Sequence, residues 1–165
     1  MQPEPEFDLI RFLKALGKRG LRYLLIGRWA VAQHGAPVVT ADYDFWIHPR
    51  DRSRFLALLV ELFDAELPPA PLRDRPILSA FVGVDKVDCF SMDSLVSDAG
   101  ERLVFDEVHA RSEEKRDQEY DLVVRIPCID DLIALKKLHR DDPLKELRDQ
   151  EDIRYLTALK SSKDR

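Results

Sequence analysis

The chain has 165 residues, a length that fits one domain with a sizeable apolar core. Apolar residues make up 45% of it and charged residues 35%, as in globular proteins. The net charge of −5 argues against a broad basic surface for nucleic acid, although it leaves room for a local contact. No apolar run is long enough to span a membrane, and the acidic N-terminus lacks a signal peptide's apolar segment. We therefore expect a cytoplasmic protein without a membrane partner.

The first predicted element is an amphipathic helix, because apolar residues recur there at near-helical intervals. They are Phe7, Ile10, Leu13 and Leu16. A second amphipathic helix is predicted after Pro49, with arginines on its polar side. The prolines that follow between residues 68 and 76 predict an extended loop.

Between these helices lies the stretch around which the chain is organised. Tyr23–Ile26 is an apolar run short enough for one buried strand, and Gly27 breaks it before a short helix that ends near Pro37. A second strand then carries Asp42 and Asp44 among large apolar residues. Residues two apart in a strand project from the same face, so these carboxylates stand side by side. A bound divalent cation with oxygen ligands usually compensates the repulsion between two such carboxylates.

A predicted hairpin over residues 77–90 supplies a third carboxylate. The sequence Val-Asp-Cys-Phe places Asp88 in an apolar strand, where a lone buried charge is costly. If that strand neighbours the one with Asp42 and Asp44, the three carboxylates converge and can hold two divalent ions about 4 Å apart. The alternative is a partly exposed Asp88 at the edge of a sheet. Asp85 falls at the predicted turn, where aspartate is common for conformational reasons.

The C-terminal part is predicted to contain further strands and then two helices. Residues 103–105 and 121–126 have the composition of strands. The charge run at 111–119 between them is interpreted as a solvated hairpin tip or a mobile loop. Helices are expected over residues 130–140 and 144–160.

Lys136 belongs to the first of these helices, and helical spacing turns its side chain toward the apolar side. An inward lysine needs a partner, and either a phosphate or Asp149 would serve. The alternative is a lysine whose ammonium group reaches solvent along an apolar surface.

The cysteines and histidines give no metal-binding pattern. Cys89 and Cys128 lie far apart in apolar runs and are expected to be reduced core residues. None of the four histidines has ligand spacing with another, so each is expected to be structural or exposed. They are His34, His48, His109 and His139.

Taken together, these motifs resemble the nucleotidyltransferase (polymerase-beta-like) superfamily. Gly27-Arg28 is followed after thirteen residues by Asp42 and Asp44, and Asp88 lies on a later strand. Most similar are small bacterial members: minimal nucleotidyltransferases, abortive-infection and toxin–antitoxin nucleotidyltransferases, and enzymes that modify aminoglycosides and lincosamides. The runs at 129–136 and 148–153 also resemble two C-terminal helices of this family, so the resemblance covers roughly residues 21–160.

The resemblance implies a fold, a reaction and a site. The fold is α/β (α+β), a mixed sheet flanked by helices, in a single domain 1–165 with a core at 21–126 and a C-terminal helical pair at 129–160. The reaction is Mg²⁺- or Mn²⁺-dependent transfer of a nucleoside monophosphate from a nucleoside triphosphate (NTP) to an acceptor hydroxyl. The catalytic and metal-binding residues are then Asp42, Asp44 and Asp88, and the nucleotide-binding residues are Gly27, Arg28, Thr40 and Lys136.

The chain departs from the family pattern at two positions. Arg28 stands where the family usually has glycine or serine, a small residue that lets the backbone approach the triphosphate. The arginine can instead bind phosphate with its guanidinium group, or it can obstruct the pocket. Related sequences also often carry an arginine shortly before the threonine, where this chain has Val38 and Val39. Thr40 itself is retained.

Two other functions compete with an active enzyme. A catalytically weak member could act through partner binding in a toxin–antitoxin or defence module, with a cognate toxin or antitoxin as its partner. A haloacid-dehalogenase-type phosphatase also has Asp-x-Asp, but there Gly-Thr or Gly-Val follows the second aspartate, whereas Phe45-Trp46 follows here. For the enzyme, the acceptor stays open among RNA such as tRNA, protein and small molecules.

Overall fold

A computed structural model of the chain describes residues 2–97, 99–138 and 142–164. The helices in these ranges are α1 Leu9–Lys18, α2 Gly27–Gln33, α3 Arg52–Phe63, α4 Phe105–Ala110, α5 Ile129–Lys136 and α6 Pro143–Lys163. The strands in the same ranges are β1 Tyr23–Ile26, β2 Tyr43–Ile47, β3 Ile77–Val82, β4 Asp85–Phe90, β5 Ser94–Val96, β6 Arg102–Val104, β7 Glu113–Asp117 and β8 Leu122–Ile126.

The central sheet has the strand order β1-β2-β4-β3. β1 is antiparallel to β2, and β3 is antiparallel to β4, whereas the two middle strands β2 and β4 are parallel. Parallel neighbours need a crossover connection, and here the chain passes through α3 and the edge strand β3 between them. The predicted mixed sheet with flanking helices and a C-terminal helical pair is confirmed.

One face of this sheet is covered by α1 and α3. Phe45 of β2 packs against Phe12 of α1 and Phe55 of α3, with ring centroids 5.5 and 5.4 Å apart. All three rings are fully buried. Because successive strand residues point to opposite faces, the burial of Phe45 turns Asp44 toward the other face. The core thus decides which side of the sheet carries the carboxylates.

α1 begins later than the apolar spacing predicts. Asp8 caps the helix, and its carboxylate accepts a hydrogen bond of 3.0 Å from the Arg11 backbone N–H. Phe7 therefore precedes the helix, although it is buried as expected. Ile10 is only half-buried, and Phe12 takes the core position instead.

Two further segments differ from their predictions. The charge run was expected to be a hairpin tip or a loop, yet Glu113–Asp117 forms β7, antiparallel to β8. Arg125 of β8 pairs with Glu114 across this hairpin. A wholly charged strand has no apolar alternation, so pairing with an apolar neighbour decides its structure. Phe105, predicted to be in a strand, begins α4 and is buried.

The C-terminal helices lie against each other, and Lys160 of α6 pairs with Asp130 of α5 at 2.7 Å. α5 begins one residue earlier than predicted and ends at Lys136. Residues 139–141, among them His139 and the predicted helix end, lie outside the described ranges. No helix within those ranges, α6 included, combines the length and the apolar character needed to cross a membrane.

Both cysteines are free thiols, as predicted, but only Cys89 is buried. Burial raises the pKa of Cys89 to about 12, so this side chain is a neutral thiol at physiological pH. Cys128 is half-buried and therefore lies at the margin of the core, contrary to the prediction of two core cysteines.

Candidate active site

Two neighbouring parallel strands bring two of the predicted carboxylates together. Asp44 of β2 and Asp88 of β4 are directly paired in the register of the sheet. Asp42 precedes β2 in an exposed segment, where its backbone N–H donates a hydrogen bond of 3.2 Å to the Thr40 hydroxyl. The predicted neighbourhood of the Asp44 strand and the Asp88 strand is therefore correct, whereas the prediction that Asp42 lies in the same strand is wrong, because β2 begins at Tyr43.

Gly27 lies directly against this carboxylate pair. It begins α2 with a φ of 68°, a left-handed conformation that favours glycine. A Cβ atom at this position would overlap the Asp44 Oδ2 atom. Any side chain at residue 27 would therefore displace the Asp44 carboxylate.

Gly27→Ala is expected to destabilise the protein. The left-handed backbone conformation alone costs an alanine about 1–2 kcal/mol, and the overlap with Asp44 adds to that. The control is Gly17→Ala in α1, where a Cβ would meet nothing within 4 Å and alanine favours the helix. Thermal unfolding checks both variants. Equal stability of the two variants would contradict the prediction.

Asp88 has two partners that the sequence analysis did not identify. The Ser79 hydroxyl of the neighbouring strand β3 donates a hydrogen bond of 2.5 Å to Asp88 Oδ1. Lys86 Nζ lies 3.3 Å from Asp88 Oδ2. Lys86 is two residues before Asp88 in β4, so the two-residue period of a strand was a signal that could have found it. These contacts orient the carboxylate and neutralise part of its charge.

Lys136 points inward, as helical spacing predicts, and is only 7% exposed. Its ammonium group lies 3.3 Å from Asp149 Oδ1 and 3.0 Å from Asp152 Oδ2, both on α6. Asp149 was one of the two predicted partners, and the alternative of an ammonium group in solvent is wrong. Asp152 is completely buried, so this ion pair lies within the protein.

Arg28 also binds the carboxylates of α6. Its Nη2 atom lies 3.2 Å from Asp152 Oδ1 and 3.6 Å from Glu151 Oε2, and its Nε donates to Asp152 Oδ2 at 3.3 Å. The Val39 carbonyl accepts a weaker hydrogen bond of 3.5 Å from the same guanidinium group. Arg28 therefore joins the start of α2 to α6, beside Lys136.

Most of these side chains surround one polar cavity of about 70 Å³. Its lining includes the predicted residues Arg28, Thr40, Asp42, Asp44, Asp88 and Lys136, together with Lys86, Lys145, Arg148, Asp149 and Asp152. Gly27 is not part of this lining but contacts Asp44. Carboxylates and cationic side chains thus share the lining of a small space, a composition suited to a polyanion accompanied by a cation.

The three predicted carboxylates do not form a ready-made metal cage. Across residues 2–97, 99–138 and 142–164, no three or more His, Cys, Asp or Glu side chains are grouped so that they could hold a metal ion. Asp44 and Asp88 are nevertheless oxygen donors on neighbouring strands, and Asp42 lines the same cavity. This donor chemistry fits Mg²⁺, which commonly takes one or two carboxylates and completes its shell with water and substrate phosphates.

The histidines that the structure describes have structural contacts. His34 is buried, and its Nε2 donates a hydrogen bond of 2.8 Å to the Pro127 carbonyl. His48 is buried too, and its Nδ1 accepts from the Arg50 backbone N–H at 3.1 Å. His109 stacks on Phe105 with ring centroids 5.4 Å apart. These contacts agree with the structural role expected of them.

Comparison with known proteins gives similarity in structure only. No protein-family model matches the chain, and no curated protein sequence matches it. Among solved structures, the lincosamide antibiotic adenylyltransferase LnuA in its lincomycin-bound form superposes with a TM-score of 0.62 at 14% sequence identity. That match covers 94% of this chain and 99% of LnuA.

Two other solved structures are similar. ANT(2'')-Ia in complex with adenylyl-2''-tobramycin matches with a TM-score of 0.54 at 17% identity, covering 92% of this chain and 94% of that one. A Thermotoga maritima protein that has been proposed to be a nucleotidyltransferase matches with a TM-score of 0.55 at 13% identity, covering 95% of this chain and 91% of that one. Almost the whole chain is matched in each case, so it has the nucleotidyltransferase fold.

Proposed function

We propose that the protein is a metal-dependent nucleotidyltransferase, which transfers a nucleoside monophosphate from an NTP to an acceptor hydroxyl. The observation that carries this proposal is the direct pairing of Asp44 and Asp88 on parallel strands, within a cavity that also holds basic side chains. The similarity of almost the whole chain to nucleotidyltransferase structures supports the same reaction class.

In the proposed reaction the acceptor oxygen attacks the α-phosphorus of the NTP. A new oxygen–phosphorus bond forms, the bond between the α-phosphorus and the bridging oxygen breaks, and pyrophosphate leaves with that oxygen. Asp88 accepts the proton of the acceptor hydroxyl as general base. Its hydrogen bond from Ser79 and its ion pair with Lys86 hold the carboxylate in one orientation for this task.

Asp42, Asp44 and Asp88 would hold Mg²⁺ or Mn²⁺ together with the phosphates of the substrate. Such an ion neutralises charge on the phosphate oxygens and orients the triphosphate when it is bound. Because Mg²⁺ sites usually include substrate oxygens, the protein carboxylates need not form a closed cage beforehand. We therefore expect metal and nucleotide to bind cooperatively.

Arg28, Thr40 and Lys136 would bind the triphosphate. Gly27, which has no side chain, would let the phosphates approach the backbone at the start of α2. The guanidinium group of Arg28 has the planar donor geometry that matches phosphate oxygens. In the described structure it is engaged with Asp152, as is Lys136. Phosphate binding therefore has to compete with the carboxylates of α6 for both cations, and this competition lowers the nucleotide affinity.

The test is to incubate the protein with each α-labelled NTP, Mg²⁺ and a total cell extract, and to fractionate the label. We expect one or more NTPs to label a specific acceptor fraction, and no label when Mg²⁺ is removed by chelation. Calorimetry with Mg²⁺ and ATP or GTP accompanies the assay, so that binding is measured without an acceptor. Label that appears equally without the protein would refute the proposal.

A second function is favoured by the engagement of Arg28 and Lys136 with α6. If those ion pairs block phosphate, the chain is a catalytically weak component of a toxin–antitoxin or defence module that acts through partner binding. Calorimetry of Arg28→Ser separates the two functions. An arginine that binds the triphosphate predicts weaker nucleotide binding in the variant, whereas a blocking arginine predicts tighter binding.

A further inference from the structure

A second cavity adjoins the polar one and differs from it in chemistry. Its volume is about 230 Å³, and Asp44 and Lys136 line both spaces. Apart from these two charged side chains and Gly27, its lining consists of aliphatic and aromatic residues. They are Ile26, Ile77, Phe90, Leu95, Leu132, Leu135 and Leu138. The two cavities therefore form a polar and an apolar compartment on either side of Asp44.

The exposure of the lining residues shows which end of the apolar cavity is its floor. Leu132 is fully buried, and Ile26 and Leu95 are only 7% and 8% exposed. Ile77, on the edge strand β3, is 47% exposed and belongs to the rim. The cavity is therefore closed around Leu132 and open to solvent beside Ile77, and Asp44 belongs to the wall that it shares with the polar cavity.

Size and chemistry together restrict the ligand. An apolar cavity of about 150 Å³ is known to hold benzene, so one of about 230 Å³ has room for one or two fused rings. A nucleobase fits poorly, because its edge nitrogens and oxygens would face aliphatic side chains without hydrogen-bond partners. A ligand whose only polar group lies at the Asp44 end would bury no polar atom without a hydrogen-bond partner.

We infer that this cavity binds the apolar part of the acceptor, and that the acceptor is a small, largely apolar organic alcohol whose hydroxyl group faces Asp44. This inference rests on the proposed nucleotidyl transfer and names its substrate class. The alcohol oxygen forms the new bond to the α-phosphorus, and the bond from that phosphorus to the bridging oxygen breaks, so that pyrophosphate leaves. The proton of the alcohol passes to Asp88, which is paired with Asp44 on the neighbouring strand. A macromolecular acceptor, RNA or protein, has no need of an apolar cavity of this size.

The test uses naphthalene-2-methanol, a two-ring primary alcohol, as the probe, with binding followed by its fluorescence in the absence of nucleotide. Two adjacent residues of β5 give a matched pair of variants. Leu95 is 8% exposed and lines the cavity, whereas Val96 is 62% exposed on the other face of the strand. Leu95→Phe fills the cavity and should weaken probe binding by about tenfold or more, because the larger side chain and the probe compete for the same space. Val96→Phe should leave it unchanged.

A variant at the rim of the cavity shows whether the weaker probe binding of Leu95→Phe could come from a folding defect alone. Ile77→Lys places an ammonium group at the exposed mouth of the cavity and should also weaken probe binding, while both cavity variants keep the parent's affinity for ATP with Mg²⁺. Absence of probe binding to the parent, or equal binding by Leu95→Phe and Val96→Phe, would overturn the inference. Binding of the probe but not of ATP would instead refute nucleotidyl transfer, and with it the acceptor role of the cavity.

Discussion

Asp88→Asn is expected to lower the rate of nucleotide transfer by about 10³-fold or more while the protein remains folded. Asparagine has the same shape and can still accept the hydrogen bond from Ser79, but it has no charge and does not accept a proton from an alcohol. It also weakens the metal site, because a neutral amide replaces a carboxylate. The measurement is the turnover number with labelled NTP and Mg²⁺, with the melting temperature as a check on folding.

Asp85→Asn is the matched control for this experiment. Asp85 lies three residues earlier in the same strand, and its carboxylate accepts a hydrogen bond of 3.0 Å from the Phe7 backbone N–H. It does not line the polar cavity, so the same chemical change there should leave turnover within about twofold, the scatter of ordinary surface substitutions. Comparable turnover in the two variants would mean that Asp88 has no special role in the reaction.

Asp44 and Asp88 were each accessible to sequence reasoning as candidate site residues, because the signal for each is local. A carboxylate among apolar residues is conspicuous, and the two-residue period of a strand states which neighbours share its face. The same period places Lys86 beside Asp88, but a lysine near a predicted turn is usually exposed, so Lys86 was not singled out. Which strands neighbour each other followed only from the resemblance of the whole pattern to a known family.

The contacts of α6 with the site were not accessible in the same way. Arg28 and Asp152 are separated by 124 residues, and the chain has 31 acidic side chains that could pair with one arginine. Only the packing of α6 against α2 and α5 selects Asp152 among them. The position of the apolar cavity has the same origin, because its walls come from the sheet, β5 and α5.

The charged strand β7 shows where local patterns fail altogether. Glu113–Asp117 has no apolar alternation, and its strand structure is imposed by hydrogen bonds to β8. The start of α1 is a milder case. The spacing of apolar residues ran through Phe7, but the capping carboxylate of Asp8 places the boundary after it.

Glu151→Gln is the control for a second prediction, the destabilisation of the protein by a substitution of Asp152. Glu151 is the neighbouring acid on α6, its side chain is 51% exposed, and it lies 3.6 Å from the same guanidinium group of Arg28. An exposed ion pair of this kind contributes about 0–1 kcal/mol, so the melting temperature of this variant should change little.

Asp152→Asn is expected to destabilise the protein by about 3–5 kcal/mol, because it leaves Arg28 and Lys136 without the buried carboxylate they share. For a chain of this size that corresponds to a fall in melting temperature of about 10 °C. The variant cavity is also more positive, so ATP with Mg²⁺ should raise the melting temperature of Asp152→Asn more than that of the parent. Thermal unfolding with and without the nucleotide measures both effects. If Asp152→Asn unfolds at the same temperature as Glu151→Gln, the buried ion pairs do not hold α6 against the site.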